Sequence, residues 1–123
     1  MNGNSIFLDT NILLYLLNGD DTISILLKDR TIVISFISEM ELLSFKNLSA
    51  KEEKIIQELI STCTVVSIEE DIKIKAIEIK RTYNLKLPDA IVAATSQIFN
   101  LPILTADKDY KKVKDLNLVF YEV

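Results

Sequence analysis

The sequence predicts an α/β fold, a three-layer sandwich whose central, mainly parallel five-stranded sheet is flanked by helices. Three observations carry that expectation. Short runs rich in Ile, Leu and Val alternate with longer runs whose apolar residues repeat at helical spacing. Most of the helical runs open on a capping residue or a proline. Strands alternating with helices need crossover connections, which cover both faces of a parallel sheet. The 123 residues fit one domain, 1–123, and 49% apolar content fills one core without disulfide staples.

Ser5–Leu8 reads as a short buried strand. It ends at Asp9-Thr10-Asn11, three residues that favour helix starts. Ile12–Leu17 follows as a helix stopped by Asn18-Gly19, and Thr22–Lys28 as a second short helix. Thr31–Ser35 is a β-branched strand. Ser38–Lys46 then reads as a helix with Ser38 at its N-cap and Glu41 completing a capping box. Ser49–Ile60 repeats the device with Ser49 and Glu52. Cys63–Ile68 is a third strand. In Glu69–Tyr83 the alternation of Ile72, Ile74 and Ala76 suits a strand, but the length and the spacing of Ile72, Ala76, Ile79 and Tyr83 favour a helix. Acids at its start and Lys80-Arg81 near its end match the helix dipole. Pro88 opens a helix over Asp89–Phe99. Leu101–Leu104 and Leu118–Tyr121 complete the strands, with a short helix at Lys108–Val113 between them.

Composition removes several chemistries. There is no histidine, so imidazole bases and His-ligated zinc are excluded. Two glycines, Gly3 and Gly19, cannot build a phosphate-cradling loop. The single cysteine, Cys63, sits in an apolar stretch and reads as a buried core thiol. No apolar run approaches the roughly 20 residues of a membrane span, and no signal peptide is visible. The expected location is cytoplasmic, with no membrane partner. A net charge of −4 disfavours nucleic-acid binding unless bound cations neutralise part of it.

In open parallel sheets, ligands bind beyond the carboxyl ends of the strands. Asp9 directly follows the first strand, Glu41 lies one turn into the helix after the second, and Asp107 follows the fourth. Asp89 opens the helix at Pro88. Singly, each has a local explanation as a cap, a turn residue or a helix-start acid. Together they would crowd one edge of the sheet. Two carboxylates about 5 Å apart repel by roughly 3 kcal/mol at an effective dielectric near 20. A hard divalent cation relieves that cost, and it can activate water and stabilise charge on a phosphoryl oxygen without histidine.

The segments Phe7-Leu8-Asp9-Thr10-Asn11-Ile12-Leu13, Ser38-Glu39-Met40-Glu41-Leu42, Leu87-Pro88-Asp89-Ala90-Ile91-Val92-Ala93-Ala94 and Leu104-Thr105-Ala106-Asp107-Lys108-Asp109-Tyr110 resemble, in order, the motifs of PIN-domain nucleases. The nearest likeness is to VapC-type toxins. The resemblance implies a PIN-like fold and an Mg²⁺- or Mn²⁺-dependent endoribonuclease. It implies a site made of Asp9, Glu41, Asp89 and Asp107, with Asp9, Asp89 and Asp107 as metal ligands. It also implies RNA as substrate, a small antitoxin protein as partner, and a homodimer; the Ile- and Leu-rich N-terminal helices are candidate interfaces. Thr10, Asn11, Thr105 and Asp109 are candidate supporting residues, each with a local structural role as the alternative. Glu39 competes with Glu41, and Asp109 with Asp107. Ala93 either leaves room beside the site or simply packs in the core. Lys80, Arg81 and Lys86 either touch an RNA backbone or form a solvated helix end.

Two other functions share this pattern. A non-catalytic binding module can keep the fold without the chemistry. A Mg²⁺-dependent phosphoacceptor receiver also gathers strand-end acids, but it needs a phosphorylatable Asp after the third strand. Here that strand leads into Glu69-Glu70-Asp71.

Overall fold

The structure is a computed structural model and describes residues 3–122. In chain order the elements are β1 (Ser5–Leu8), α1 (Thr10–Leu17), α2 (Asp21–Leu26), β2 (Thr31–Ser35), α3 (Phe36–Leu43), α4 (Ala50–Ser61), β3 (Thr64–Val66), α5 (Glu70–Tyr83), α6 (Leu87–Ile98), β4 (Ile103–Thr105), a 3-10 helix (Lys108–Lys112) and β5 (Leu118–Phe120). The five strands form one parallel sheet in the order β3-β2-β1-β4-β5. The sandwich expected from the sequence is the fold observed.

Side chains alternate across the sheet because successive residues of a strand face opposite ways. Phe7 and Val33 join one core with Ile72, Ala76 and Ile79 of α5 and Ala90, Ala93 and Ala94 of α6. Ile6, Leu8 and Ile34 join the other with Ile12 and Leu13 of α1, Ile23 of α2 and Ile56 of α4. Full burial of such a side chain is worth about 1.5–3 kcal/mol. Burial on both faces fixes the strand register, since a one-residue slip would exchange the two cores.

Strand order decides where a ligand can sit. From β1 the chain builds outward through β2 and β3, then returns to the other side of β1 as β4 and β5. The connections therefore diverge between β1 and β4, and a crevice opens beyond the carboxyl ends of those two strands.

Local signals placed most element ends within two residues. Gly19, at φ 85°, follows α1, and Asn84, at φ 56°, caps α5 in the left-handed region. Ser49 and Glu52 form the expected capping box on α4. The box expected from Ser38 and Glu41 does not form. Helix α3 starts directly from β2, with Ser35 as its N-cap accepting from the Ile37 N–H at 3.1 Å, because Ser35 is the first capping residue the strand reaches. Ser38 is instead buried inside α3, and Glu41 is freed from capping. Helix α1 begins at Thr10, before Ile12, because Asp9 is itself the N-cap. Helix α6 begins at Leu87, with Pro88 in its first turn. Strand β4 is shifted to Ile103–Thr105. Cys63 is half-buried rather than enclosed, and its thiol donates to the Leu59 carbonyl at 3.4 Å. Among the described residues, no helix is long and apolar enough to cross a membrane.

Candidate active site

The crevice between β1 and β4 widens into a cavity of about 450 Å³. Asp9, Glu41, Asp89 and Asp107 all line it, as do Thr10 and Asn11. The residues come from the ends of β1 and β4, from α3 and from the first turn of α6, so four segments distant in sequence meet at one place.

Asp9 lies at the bottom and is only 5% exposed. Its Oδ1 accepts the Ile12 N–H at 3.0 Å, which makes it the N-cap of α1. Its Oδ2 accepts a hydrogen bond from the Thr105 hydroxyl. The same Thr105 oxygen accepts the Asp107 N–H at 3.0 Å. Thr105 thus joins the ends of β1 and β4 and holds both acids. Asp107 has a capping duty as well, since its Oδ1 accepts the Asp109 N–H at 2.9 Å and opens the 3-10 helix. These two acids both cap a helix and line the cavity, so the local role does not compete with a place in the site. A cap fixes the side-chain rotamer, and a fixed rotamer is what a precise site needs.

Glu41 is held from across the crevice. The Thr10 hydroxyl donates to its Oε1 at 2.6 Å and lies 3.0 Å from the Ser38 hydroxyl. Of the two competing glutamates, Glu41 lines the cavity and Glu39 does not. Asp109 also lies outside, paired with Lys112 at 3.4 Å, while Asp107 lines the cavity. Ala93 packs in the core. Lys80, Arg81 and Lys86 do not line the cavity, although Lys86 draws the Asp89 pKa slightly down.

Tyr110 was missed in the sequence. It follows Asp107 by three residues, and its ring is 2% exposed. Its hydroxyl lies in the cavity wall and donates to Asp89 Oδ1 at 3.4 Å. A buried aromatic reads as core, and nothing local marks this hydroxyl as part of the acid group.

Electrostatics confirms that the acids share one space. Burial raises the Asp9 carboxyl pKa. The Thr105 and Ile12 bonds oppose the rise, and the charges of Asp107 and Asp89 add to it. Burial also raises Asp89, followed by the charges of Asp107 and Glu41, with Tyr110 and Lys86 opposing. The Tyr110 phenol is pushed far above its ordinary range by burial and by Asp89, Asp9 and Asp107, so it stays a neutral donor. Among the described residues, none of the ion pairs involves these four acids. A buried carboxylate without a cation is costly.

The donor set suits a hard divalent cation: it is all oxygen, anionic, and free of nitrogen or sulfur ligands. Among the described residues, no three acids close tightly enough to enclose a metal by themselves.

A family model for the PIN domain matches residues 6–116. No curated protein matches the chain. Among solved structures, the chain is similar to a toxin–antitoxin complex from Klebsiella pneumoniae, with 30% identity, a TM-score of 0.83, and coverage of 96% of this chain and 99% of the other. It also shares its fold with VapBC2 from Rickettsia felis bound to a promoter DNA fragment, at 20% identity and TM-score 0.81, covering 96% and 99%. VapBC-1 from nontypeable Haemophilus influenzae matches at 23% identity and TM-score 0.79, covering 94% and 97%. With a family match that runs from β1 to within two residues of β5, and a 30%-identical structure aligned over nearly its whole length, the chain belongs to the PIN-domain family.

Proposed function

We propose that this chain is a Mg²⁺- or Mn²⁺-dependent endoribonuclease and the toxin of a toxin–antitoxin pair. The observation that carries the reading is the Asp9 carboxylate, 5% exposed and in none of the ion pairs among the described residues, in a cavity with Glu41, Asp89 and Asp107. Membership of the PIN-domain family and the likeness to the Klebsiella toxin–antitoxin complex support it.

On this reading Asp9 and Asp89 hold the cation directly, and Asp107 and Glu41 complete the pocket. When bound, the cation supplies Lewis-acid stabilisation of the phosphoryl oxygens and makes water more acidic. The chain's own residues supply order. Thr105 and the Ile12 N–H hold Asp9, Thr10 holds Glu41, and the neutral Tyr110 hydroxyl steadies Asp89. Asn11 and Thr10 stand at the rim, where they can meet substrate. RNA phosphates would then meet an edge whose negative charge is partly neutralised, which helps reconcile a −4 protein with a polyanion.

The proposed protein partners are a small antitoxin and a second copy of the chain. An apolar groove lined by Leu14, Leu17, Phe45, Leu48, Ile55 and Ile56 supports the antitoxin. Leu14 and Phe45 also line the acid cavity, so a partner in the groove reaches the site. The phosphoacceptor alternative gains no support, because among the described residues none that follows β3 and precedes α6 lines the cavity.

The test is cleavage of single-stranded RNA by the purified chain, with Mg²⁺, with Mn²⁺ and with EDTA, beside Asp9→Asn. Cleavage restored by either metal and abolished by EDTA and by Asp9→Asn is expected. Cleavage that survives both treatments overturns the reading.

A further inference from the structure

Ser35 holds the cap position that the sequence assigns to Ser38, which leaves Ser38 without that duty. Ser38 stands inside α3 at 0% exposure, where its hydroxyl meets no water. A buried hydroxyl without a partner is costly, and among the described residues no buried side-chain oxygen lacks one. A serine or threonine inside a helix can turn back to the carbonyl four residues earlier. Thr82 does so to Glu78 at 2.9 Å, and Thr95 to Ile91 at 2.8 Å. The Ser38 hydroxyl instead meets the Thr10 hydroxyl, 3.0 Å away on α1 and 28 residues distant in sequence.

Proton counting orders the three groups. A carboxylate only accepts, so the 2.6 Å bond between Thr10 and Glu41 Oε1 takes the Thr10 proton. Thr10 has no second proton, so the 3.0 Å contact is made by the Ser38 proton. The donors therefore run from Ser38 to Thr10 to Glu41. A hydroxyl that accepts becomes a stronger donor, so the buried serine strengthens the bond to the carboxylate. Thr10 is only half-buried, and by itself its hydroxyl is free to turn to water. Glu41 needs this restraint more than the other acids do. Asp9 is enclosed and Asp107 is fixed by its own cap, whereas Glu41 is exposed. Among the described residues Glu41 makes no ion pair, and Thr10 is the donor that holds it. With Oε1 spent on Thr10, Oε2 is left for the cavity.

We propose that Ser38 is a positioning residue of the acid cavity: it directs the single Thr10 proton onto Glu41 and so holds that carboxylate toward the cation. The same two bonds tie α3 to α1, the helix that Asp9 caps, so they also set Glu41 relative to Asp9. The proposal rests on the metal-dependent ribonuclease reading for what the cavity binds, and the test separates the two.

Mn²⁺ is titrated into the metal-free full chain and followed by the EPR signal of the free ion. Cleavage of single-stranded RNA is assayed with Mg²⁺, and a thermal melt checks the fold of each variant. Ser38→Ala raises the Mn²⁺ Kd and lowers kcat by about fivefold each, the worth of one hydrogen bond, with KM unchanged. Ser38→Thr keeps the donor and restores both values. Thr10→Ser keeps them and Thr10→Val loses them, a pair that carries the test if the extra methyl at position 38 does not fit. In a Glu41→Ala background, Ser38→Ala has no further effect on the Mn²⁺ Kd, because the two residues act as one unit. A serine that only packs costs the same in both backgrounds. That additivity, or an unchanged Kd and kcat in Ser38→Ala, overturns the positioning role and leaves the ribonuclease reading standing. A Mn²⁺ Kd that depends on Ser38 through Glu41, in a chain that cleaves no RNA, supports the role and overturns that reading. A wild-type chain that binds no Mn²⁺ overturns both.

Discussion

Replacing Asp9 in two ways separates its structural duty from its charge. Asp9→Asn keeps an oxygen for the Ile12 N–H, now 3.0 Å away, and offers Thr105 an amide in place of a carboxylate. It removes a buried charge that Asp107 and Asp89 repel. The metal-free protein is therefore expected to be as stable as wild type or more so. Asp9→Ala loses the cap, at about 1 kcal/mol, and strands the Thr105 hydroxyl, at about 1–3 kcal/mol, or roughly 2–4 kcal/mol in sum. For a chain of this length each kcal/mol moves Tm by about 3–5 °C. The sign with pH follows from the raised carboxyl. The fold binds this proton more tightly than the unfolded chain, whose pKa is near 3.8. The Asp9 contribution to stability without metal is thus greatest at acidic pH, falls as pH rises from about 3.8 through the raised value, and is level above it. Asp9→Asn flattens that fall, leaving the part due to Asp89. Saturating Mg²⁺ raises wild-type stability by about 2.7 kcal/mol at one hundred times Kd, and Asp9→Asn loses most of that gain. Thermal melts across pH, with and without Mg²⁺, read all of this. An Asp9→Asn protein that melts as low as Asp9→Ala, or one that keeps the full Mg²⁺ gain, refutes the reasoning.

Four further substitutions probe the groups around it. Tyr110→Phe keeps the buried ring but removes the donor to Asp89, so the fold should hold while cleavage falls up to about tenfold, the worth of one hydrogen bond; unchanged kinetics would remove Tyr110 from the site. Glu41→Gln should depress cleavage and Glu39→Gln should not, since only Glu41 lines the cavity and meets Thr10, and a side-by-side rate comparison checks it. Thr105→Val is close to isosteric but takes away both the donor to Asp9 and the acceptor for the Asp107 N–H, so chemical denaturation should show a loss of about 1–3 kcal/mol with cleavage reduced in parallel.

The elements were legible because their signals are local. A cap acts within three or four residues, as Ser49 and Glu52 do, and helical periodicity within two turns, as in Ile72, Ala76 and Ile79. The strand-end acids were legible for the same reason: Asp9 stands between an apolar run and a helix wherever the rest of the chain goes. The start of α3 was misread because Ser35 and Ser38 are both competent caps. Local chemistry does not rank them, whereas the strand that delivers Ser35 directly into a helix does.

The acids were expected on one edge of the sheet, but the contacts that join them there were beyond the sequence. The Asp9–Thr105 bond spans 96 residues and the Thr10–Glu41 bond spans 31, and both exist only because the strand order β3-β2-β1-β4-β5 sets β1 between β4 and β2. The placement of Glu41 and Asp107 on the cavity wall, with Glu39 and Asp109 outside it, and the entry of the Tyr110 hydroxyl into the acid group all follow from that order. The sequence by itself determined which residue types stand at each strand end and helix start, since those choices act over one turn of chain. Only the tertiary structure decided which of them face one another, because that depends on burying two cores on opposite faces of a single sheet.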